Sequence, residues 1–174
     1  MAEAVRLERL GARHVDELTA LVADPDVLRF TRIPEPAPPG FARDWVARYE
    51  AGERDGSCAG FAAVDGSGAF LGLGLAPSID AEARELELGY IVAREARGRG
   101  VGVAVLRQLT HWAFEHAGAL RAYLQIDTAN VASQRIAERG GYVFEGVLRS
   151  VHVKQGRRMD VMVWSRLPSD PQPR

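Results

Sequence analysis

A glycine-rich stretch, EARGRGVGVAVLRQL at residues 95–109, limits what this chain can fold into more than any other part of it. Glycines at alternate positions, from Gly98 to Gly102, favour a turn with positive φ angles. The run after them has apolar residues at helical spacing, whereas RELELGYIVA before it alternates as a strand does. With a second strand at RAYLQI, this order predicts a right-handed strand–helix–strand crossover from Glu87 to Ile126.

Such a turn, placed at the start of a helix, is suited to bind an anion. Its backbone N–H groups can approach a phosphate closely, and Arg97 and Arg99 can add charge-assisted hydrogen bonds. Two familiar phosphate motifs do not fit: a P-loop ends in Gly-Lys-Ser/Thr, where this chain reads Gly102, Val103, Ala104, and the dinucleotide fingerprint fails at its sixth position. The residues alone leave open a plain solvent-facing turn.

Composition restricts where such a site can act. The 174 residues carry 22 Lys and Arg against 23 Asp and Glu, so no global basic field points to nucleic acid or to an anionic membrane. The single Cys58 allows no internal disulfide, the first residues lack the apolar core of a secretory signal, and the longest apolar run is shorter than a membrane span. We predict a cytoplasmic protein with one domain, residues 1–167, and a disordered tail, residues 168–174.

The rest of the chain completes a mixed α+β pattern. Five prolines between positions 24 and 40 predict a long loop that holds no more than a helical turn. Outside the crossover, periodicity predicts strands at VRLERL, SCAGFAAV, AFLGLGLAPSI, YVFEGVLRSVHV and RMDVMVWSRL, and helices at HVDELTALVADPDV, FARDWVARYEAGER and 131–139. We therefore predict a mostly antiparallel sheet of about seven strands with about four helices.

Several ordered motifs resemble one enzyme superfamily. Arg97, Gly100 and Gly102 match the pattern R/Q-x-x-G-x-G/A, which is the pyrophosphate loop of the GNAT superfamily of acyl-CoA-dependent N-acetyltransferases. The chain is similar to the RimJ/RimL branch, which acetylates amino-terminal amines of ribosomal proteins, in ELGY at 87–90, Asn130 with Ser133, EGVLR at 145–149 and GRRMD at 156–160. The likeness runs from Val5 to Leu167 and is weakest in the proline-rich loop.

The resemblance implies a GNAT-like fold in which two strands splay apart. One is the strand before residues 98–102, here called the glycine turn, and the other is the strand after the helix that follows this turn. The pantetheine arm of acetyl-CoA would lie in that gap and bind main-chain groups of the first strand. The residues that this places on the cofactor are Tyr90, Ile91, Val92, Arg97, Gly98, Arg99, Gly100, Val101, Gly102, Asn130 and Ser133. From residue type alone, the N-cap of the helix that follows is the better explanation of Asn130.

Acetyl transfer to an amine requires a base for the amine and a hydrogen-bond donor for the leaving thiolate. The resemblance implies that Glu87 is the general base, although a solvent-facing pair with Glu85 also explains its place on the strand. Many members of the superfamily use a tyrosine acid where this chain has Ala137. The resemblance to the RimL-like branch implies instead that Ser133, which matches a serine of that branch, is the acid. Tyr142 is the alternative acid, but the resemblance favours it as a packed aromatic residue.

The predicted acceptor is an amino-terminal α-amine of a protein or peptide. Reference pKa values of about 7.8 for an α-amine and about 10.4 for lysine make deprotonation at pH 7 cost about 1 and about 4.6 kcal/mol, so a weak base is enough for the α-amine. The alternatives are a small amine or an aminoglycoside as acceptor, and an acyl-CoA sensor without turnover.

His111 and His116 are five residues apart and do not match the HExxH zinc spacing, so no metal is predicted. The resemblance leaves a homodimer open.

Overall fold

The computed structural model describes residues 4–173 of the chain. This part contains seven strands and five α-helices. The strands are β1 Arg6–Arg9, β2 Ala59–Val64, β3 Phe70–Asp80, β4 Glu85–Val92, β5 Arg121–Asp127, β6 Val143–Lys154 and β7 Arg157–Arg166. The helices are α1 Val15–Leu21, α2 Pro25–Phe30, α3 Phe41–Asp55, α4 Val101–Glu115 and α5 Val131–Arg139. None of these helices is long and apolar enough to cross a bilayer. Of the predicted domain and tail, residues 1–3 and Arg174 lie outside the described residues.

The sheet has the order β1-β2-β3-β4-β5-β7-β6, and among the described strands only β4 and β5 run parallel. The other neighbouring pairs are antiparallel. Helix α4 joins the parallel pair and is the crossover that the sequence predicts. The predicted mixed α+β fold, mostly antiparallel with one crossover, is therefore confirmed.

Helices cover both faces of the sheet because its central strands are apolar on both sides. Ile91 of β4 belongs to the core that α1, α2 and α3 cover. Leu86 of the same strand packs into the opposite core, where Leu106 and Leu109 of α4 are fully buried. Side chains alternate along a strand, so Glu87 points to the α3 face of the sheet.

Helix α2 lies in the segment between positions 24 and 40, and it is longer than the helical turn that the prediction of a long loop allows. The residues from Pro25 to Phe30 are helical. Proline does not break a helix at its first position, where its missing N–H would have no partner. Asp24 caps the same end by accepting the Asp26 N–H at 2.9 Å. The remaining prolines, between 34 and 39, do lie outside regular structure, as predicted.

Strand β6 forms one edge of the sheet and exposes a row of apolar side chains. Its exposed members are Val143, Phe144, Val147, Leu148, Val151 and Val153. A free strand edge of this kind is a surface on which another chain can pair. A homodimer nevertheless stays a prediction.

The C-terminal residues fold back on the domain. The Leu167 N–H donates to the Asp170 carboxylate at 2.8 Å, and Nη2 of the buried Arg166 lies 3.4 Å from the Pro171 carbonyl oxygen. The residues from Leu167 to Asp170 thus form a turn beside Arg166, and the disordered tail at residues 168–174 stays a prediction.

Candidate active site

The sheet opens between its two parallel strands. Strands β4 and β5 pair only over Glu85–Glu87 and Arg121–Tyr123, although β4 continues to Val92 and β5 to Asp127. Beyond Glu87 the facing edges of the two strands are not hydrogen-bonded to each other. Backbone N–H and C=O groups on these edges therefore need another hydrogen-bond partner, such as water or a ligand. The predicted splay of these strands, here called the fork, is confirmed.

An irregularity in the neighbouring strand lies at the same level as the fork. The pairing of β3 with β4 shifts register between Leu75 and Ser78, where β3 has one more residue than β4. Pro77 occupies this bulge, where its missing N–H removes no ladder hydrogen bond. Bulges bend a strand and increase its twist, so this one contributes to turning β4 away from β5 beyond Glu87.

The fork continues into a cleft of about 1040 Å³, at the upper end of the usual volumes of ligand sites. All predicted site residues except Arg99 line it, namely Glu87, Tyr90, Ile91, Val92, Arg97, Gly98, Gly100, Val101, Gly102, Asn130 and Ser133. Arg99 instead donates from Nη1 to the Glu95 carbonyl at 3.2 Å. The cleft thus brings together residues from β4, α4 and α5. We call the part lined by Gly98, Gly100 and Gly102 the glycine-turn end, and the part lined by Glu87 the Glu87 end.

The glycine turn presents backbone N–H groups at the start of α4. Gly98 and Gly100 have φ angles of 74° and 82°, which residues with a side chain rarely adopt. The first intrahelical bond runs from the Ala104 N–H to the Gly100 carbonyl at 3.1 Å, so the N–H groups of residues 101–103 have no helical partner. These donors and the helix dipole favour an anion at the glycine-turn end.

Gly102 has a different role from the other two glycines. It lies inside α4, and a Cβ at this position would come 2.6 Å from Cδ1 of Ile136 in α5. A Cβ at Gly98 or Gly100 would meet nothing within 4 Å. Two of the alternating glycines therefore supply positive φ angles, and the third lets α4 and α5 pack closely.

The side chain of Arg97 is held by the carboxylates of α2. Nη2 lies 2.6 Å from Oδ2 of Asp24, Nη1 lies 3.0 Å from Oδ2 of Asp26, and Nε donates to the Val92 carbonyl at 3.2 Å. Arg94 adds a second cation to Asp24 at 2.9 Å. In the structure the guanidinium of Arg97 is bonded to both carboxylates and to the Val92 carbonyl, and the direct contact of Arg97 with a pyrophosphate, which the sequence predicts, stays a prediction.

Asp24 is the centre of this contact between α2 and the glycine turn. Its side chain is 8% exposed, and burial opposes its ionisation. The Asp26 N–H and the guanidinium groups of Arg94 and Arg97 outweigh burial and hold the pKa of Asp24 below its usual value. Because the folded-state pKa is the lower one, this stabilisation is fully present above the unfolded value of 3.8 and is lost as the pH falls through the lowered pKa.

We expect Asp24→Asn to destabilise the protein by about 2 kcal/mol at pH 7. Asparagine caps a helix as well as aspartate does, so the loss measures the two charge pairs. The deficit should shrink in acid, because wild-type Asp24 then becomes neutral as well. Urea unfolding over a pH series measures it.

The matched control is Asp26→Asn. Asp26 is 61% exposed and bonds to Arg97, which also pairs with Asp24. Loss of the Asp26 charge should therefore lower the free energy of unfolding by less than about 0.5 kcal/mol. A deficit of Asp24→Asn that stays constant down to acid unfolding would contradict the assignment of the stabilisation to its charge.

Glu87 stands at the base of the fork with a side chain that is only 12% exposed. Arg32, from the loop after α2, places Nη2 on Oε1 of Glu87. Glu85, two residues earlier on the same face, is 37% exposed and pairs with Arg121 at 3.6 Å. The two glutamates are therefore not an equivalent solvent-facing pair, because Glu87 lines the cleft and Glu85 is part of a surface ion pair.

The start of α5 places Asn130 and Ser133 on the wall of the cleft. The Asn130 side chain accepts the Ser133 N–H at 3.1 Å and is the N-cap of the helix. Tyr90 of β4 donates its hydroxyl to the Ser133 carbonyl at 3.2 Å, and burial raises the pKa of Tyr90 to about 12. The Ser133 hydroxyl takes no part in these contacts. The role of Ser133 as acid and a contact of Asn130 with the cofactor stay predictions.

Tyr142, the alternative acid, is a packing residue. It is 4% exposed, and its hydroxyl lies 2.7 Å from Oγ1 of Thr110 in α4. Burial raises the pKa of Tyr142, which makes the hydroxyl a weaker acid. Tyr142 is not among the residues that line the cleft, so it has no access to a leaving group there.

Three residues of the Glu87 end, Arg32, His152 and Lys154, were not predicted to belong to the site. Nε2 of His152 lies 2.8 Å from Oε1 of Gln125. Burial, together with the charge of Arg32, lowers the pKa of His152, so its ring is neutral at pH 7. His152 and Lys154 alternate with exposed valines along β6, and this alternation could have predicted that the two side chains share one face of the strand.

Among residues 4–173, no three His, Cys, Asp or Glu side chains are grouped as a metal site requires.

Known proteins share this fold and part of this sequence. The family model described as an acetyltransferase (GNAT) domain matches residues 4–143. A protein of Bacillus subtilis (strain 168), provisionally named ribosomal N-acetyltransferase YdaF, is 31% identical over 90 residues, which cover 52% of this chain and 49% of that protein. The match thus spans about half the length of that relative.

Two solved structures are similar over nearly the whole chain. RimL, described as a ribosomal L7/L12 alpha-N-protein acetyltransferase in complex with coenzyme A, has a TM-score of 0.85 at 19% identity, with 94% of this chain and 93% of that chain covered. A spermidine N-acetyltransferase from Vibrio cholerae in complex with CoA and spermine has a TM-score of 0.84 at 21% identity, with 95% and 96% covered. At these identities the two structures show a shared fold alone.

Proposed function

Since this chain belongs to the acetyltransferase (GNAT) domain family, we propose that it transfers an acetyl group from acetyl-CoA to the amino-terminal α-amine of a protein or peptide. The observation that carries the proposal is the fork between β4 and β5, with Glu87 at its base and the glycine turn lining the same cleft. An extended arm fits the open edge of a strand, and a pyrophosphate fits the N-terminus of a long helix.

The residues of the cleft fit acetyl-CoA. The open edge of β4 beyond Glu87 supplies main-chain partners, although the Val92 carbonyl already accepts from Nε of Arg97. The N–H groups from Gly98 to Val103 would hold the pyrophosphate at the glycine-turn end. The bound cofactor supplies an activated acetyl thioester.

Glu87 would remove the proton of the attacking amine, directly or through water. Its contact with Arg32 uses Oε1, so Oε2 is the oxygen that would receive an amine. The Ser133 hydroxyl would donate a hydrogen bond to the leaving sulfur, and a backbone N–H of the strand from Tyr90 to Val92 would stabilise the developing oxyanion. Neutral His152 adds no charge that would repel an incoming ammonium group.

The names of the relatives support two classes of acceptor. The Bacillus subtilis protein and RimL are named for ribosomal proteins, whereas the Vibrio cholerae enzyme is named for spermidine. We favour an α-amine because it loses its proton at neutral pH at a cost of only about 1 kcal/mol, so one carboxylate is a sufficient base. A small amine such as a polyamine is the second candidate.

A CoA-release assay with a panel of acceptors tests the proposed function. We expect release above hydrolysis with unblocked peptides, and a peptide mass increased by one acetyl group at the α-amine. Release with spermidine or an aminoglycoside alone would favour the small-amine alternative. Calorimetric binding of acetyl-CoA without release for any acceptor would identify a sensor and overturn the proposal.

A further inference from the structure

The contact between Arg32 and Glu87 puts a cation at the point where the acceptor amine has to arrive. The two side chains come from distant parts of the chain and meet inside the cleft. Glu87 is 12% exposed, whereas Arg32 is 59% exposed and uses one guanidinium nitrogen for this contact. The guanidinium therefore keeps further N–H donors that a ligand in the cleft can reach.

A second cation approaches the same place from the β6–β7 hairpin. Lys154 donates from Nζ to the carbonyl of Thr31, the neighbour of Arg32, at 2.5 Å. The ammonium group has three N–H donors, and this bond uses one. Burial lowers the pKa of Lys154, and the negative charges of Glu35 and Asp127 partly oppose this shift. Glu35 is also bonded to Gln155 at 2.8 Å.

The charges of the whole cleft point in the same direction. Of its charged lining residues, seven are Arg or Lys and four are Asp or Glu. At the glycine-turn end, the charge of Arg97 is already matched by Asp24 and Asp26. At the Glu87 end, Glu87 is the carboxylate bonded to Arg32.

We infer that Arg32 selects acceptors that carry a carboxylate close to the reacting amine. This inference rests on the proposed function and names its substrate class. The amine binds Glu87, and the nearby carboxylate binds the free edge of the guanidinium, a group whose planar fork matches a carboxylate. Lys154 adds a second positive charge on the same side.

A polycation is disfavoured by the same residues. Its second amino group would lie beside Arg32 and Lys154, and like charges at short range repel. The chemistry that fits is thus an amine with a carboxylate a few bonds away. Two sources offer it: a free amino acid, such as aspartate, whose α-carboxylate adjoins the amine, and a peptide or protein whose first residues are Asp or Glu.

The test compares kcat/KM for four acceptors: the peptide amides Asp-Ala-Ala and Ala-Ala-Ala, free aspartate, and spermidine. We expect the acidic peptide to exceed the neutral one by about 10-fold or more, because a charge-assisted pair replaces a neutral contact. Spermidine should be the poorest acceptor. Free aspartate, compared with the acidic peptide, shows which of the two sources the cleft prefers.

The variant Arg32→Gln assigns the preference to one side chain. It should lower kcat/KM for the acidic peptide by about 10-fold, mostly through a higher KM, and raise it for spermidine. Arg43→Gln, which makes the same charge change outside the lining of the cleft, should leave the order of acceptors as it is in wild type.

The outcomes separate the inference from the proposed function. If wild type releases CoA with none of the four acceptors, the proposed function fails and the inference fails with it. If acceptors are turned over but spermidine is the best one, or if Arg32→Gln keeps the full preference for the acidic peptide, the inference alone is overturned.

Discussion

Replacing Glu87 by glutamine is expected to lower kcat/KM by about 10²- to 10³-fold at pH 7, while the affinity for acetyl-CoA stays unchanged. Glutamine has nearly the same shape and still accepts a hydrogen bond from Arg32, so the change removes the base and little else. Activity should recover in part as the pH rises, because an α-amine with a pKa of about 7.8 then loses its proton to water. Steady-state rates over a pH series and calorimetric titration of acetyl-CoA measure both effects.

The control for this variant is Glu85→Gln. Glu85 lies on the same face of β4, is 37% exposed and pairs with Arg121. Its replacement removes the same charge two residues away, so kcat/KM should change by less than about threefold. If Glu87→Gln and Glu85→Gln have equal activity, Glu87 is not the base, and neutral His152 becomes the group to examine.

A second large effect is expected from Gly72→Ala, which should lower the free energy of unfolding by about 3 kcal/mol. Gly72 of β3 has a φ of 148° and pairs with Val92, the last residue of β4. A Cβ here would come 2.1 Å from the carbonyl oxygen of Ile91. That oxygen is backbone and cannot rotate away, so the two strands would have to separate. Urea unfolding with an unchanged m-value measures the loss.

Gly89→Ala is the matched control for stability. Gly89 lies in β4, and a Cβ there would meet nothing within 4 Å. Its replacement should leave the unfolding free energy within about 1 kcal/mol of wild type, since alanine also restricts the unfolded chain. A loss below about 1 kcal/mol in Gly72→Ala would show that β3 and β4 separate easily at this point.

Features governed by local periodicity could be predicted from the sequence. Alternation in β4 separates Glu87 from Leu86, and the glycines at 98 and 100 indicate positive φ before a helix. These patterns depend on neighbours within one turn or one strand, so the residues carry them directly. The fork itself is a property of two strands far apart in the chain, and it came from the resemblance to a family.

Side-chain partners across the chain could not be predicted in this way. Arg32 and Glu87 are 55 residues apart, and Arg97 is 73 residues from Asp24. No periodic pattern links such pairs, because the fold alone brings them together. Helix α2 is longer than the helical turn that the sequence predicts in this segment, because Pro25 stands at the one helical position that tolerates proline.

Helix α2 also makes the two ends of the cleft dependent on each other. Asp24 and Asp26, at its start, hold the arginines of the glycine turn, and Arg32, two residues after its end, holds Glu87. A helix of six residues is about 9 Å long and is one continuous hydrogen-bonded unit. A ligand that displaces this unit at one end therefore changes the binding free energy at the other, and thermodynamic linkage requires the same coupling in the reverse direction. We therefore expect the affinity for the cofactor and the choice of acceptor to depend on each other through this short helix.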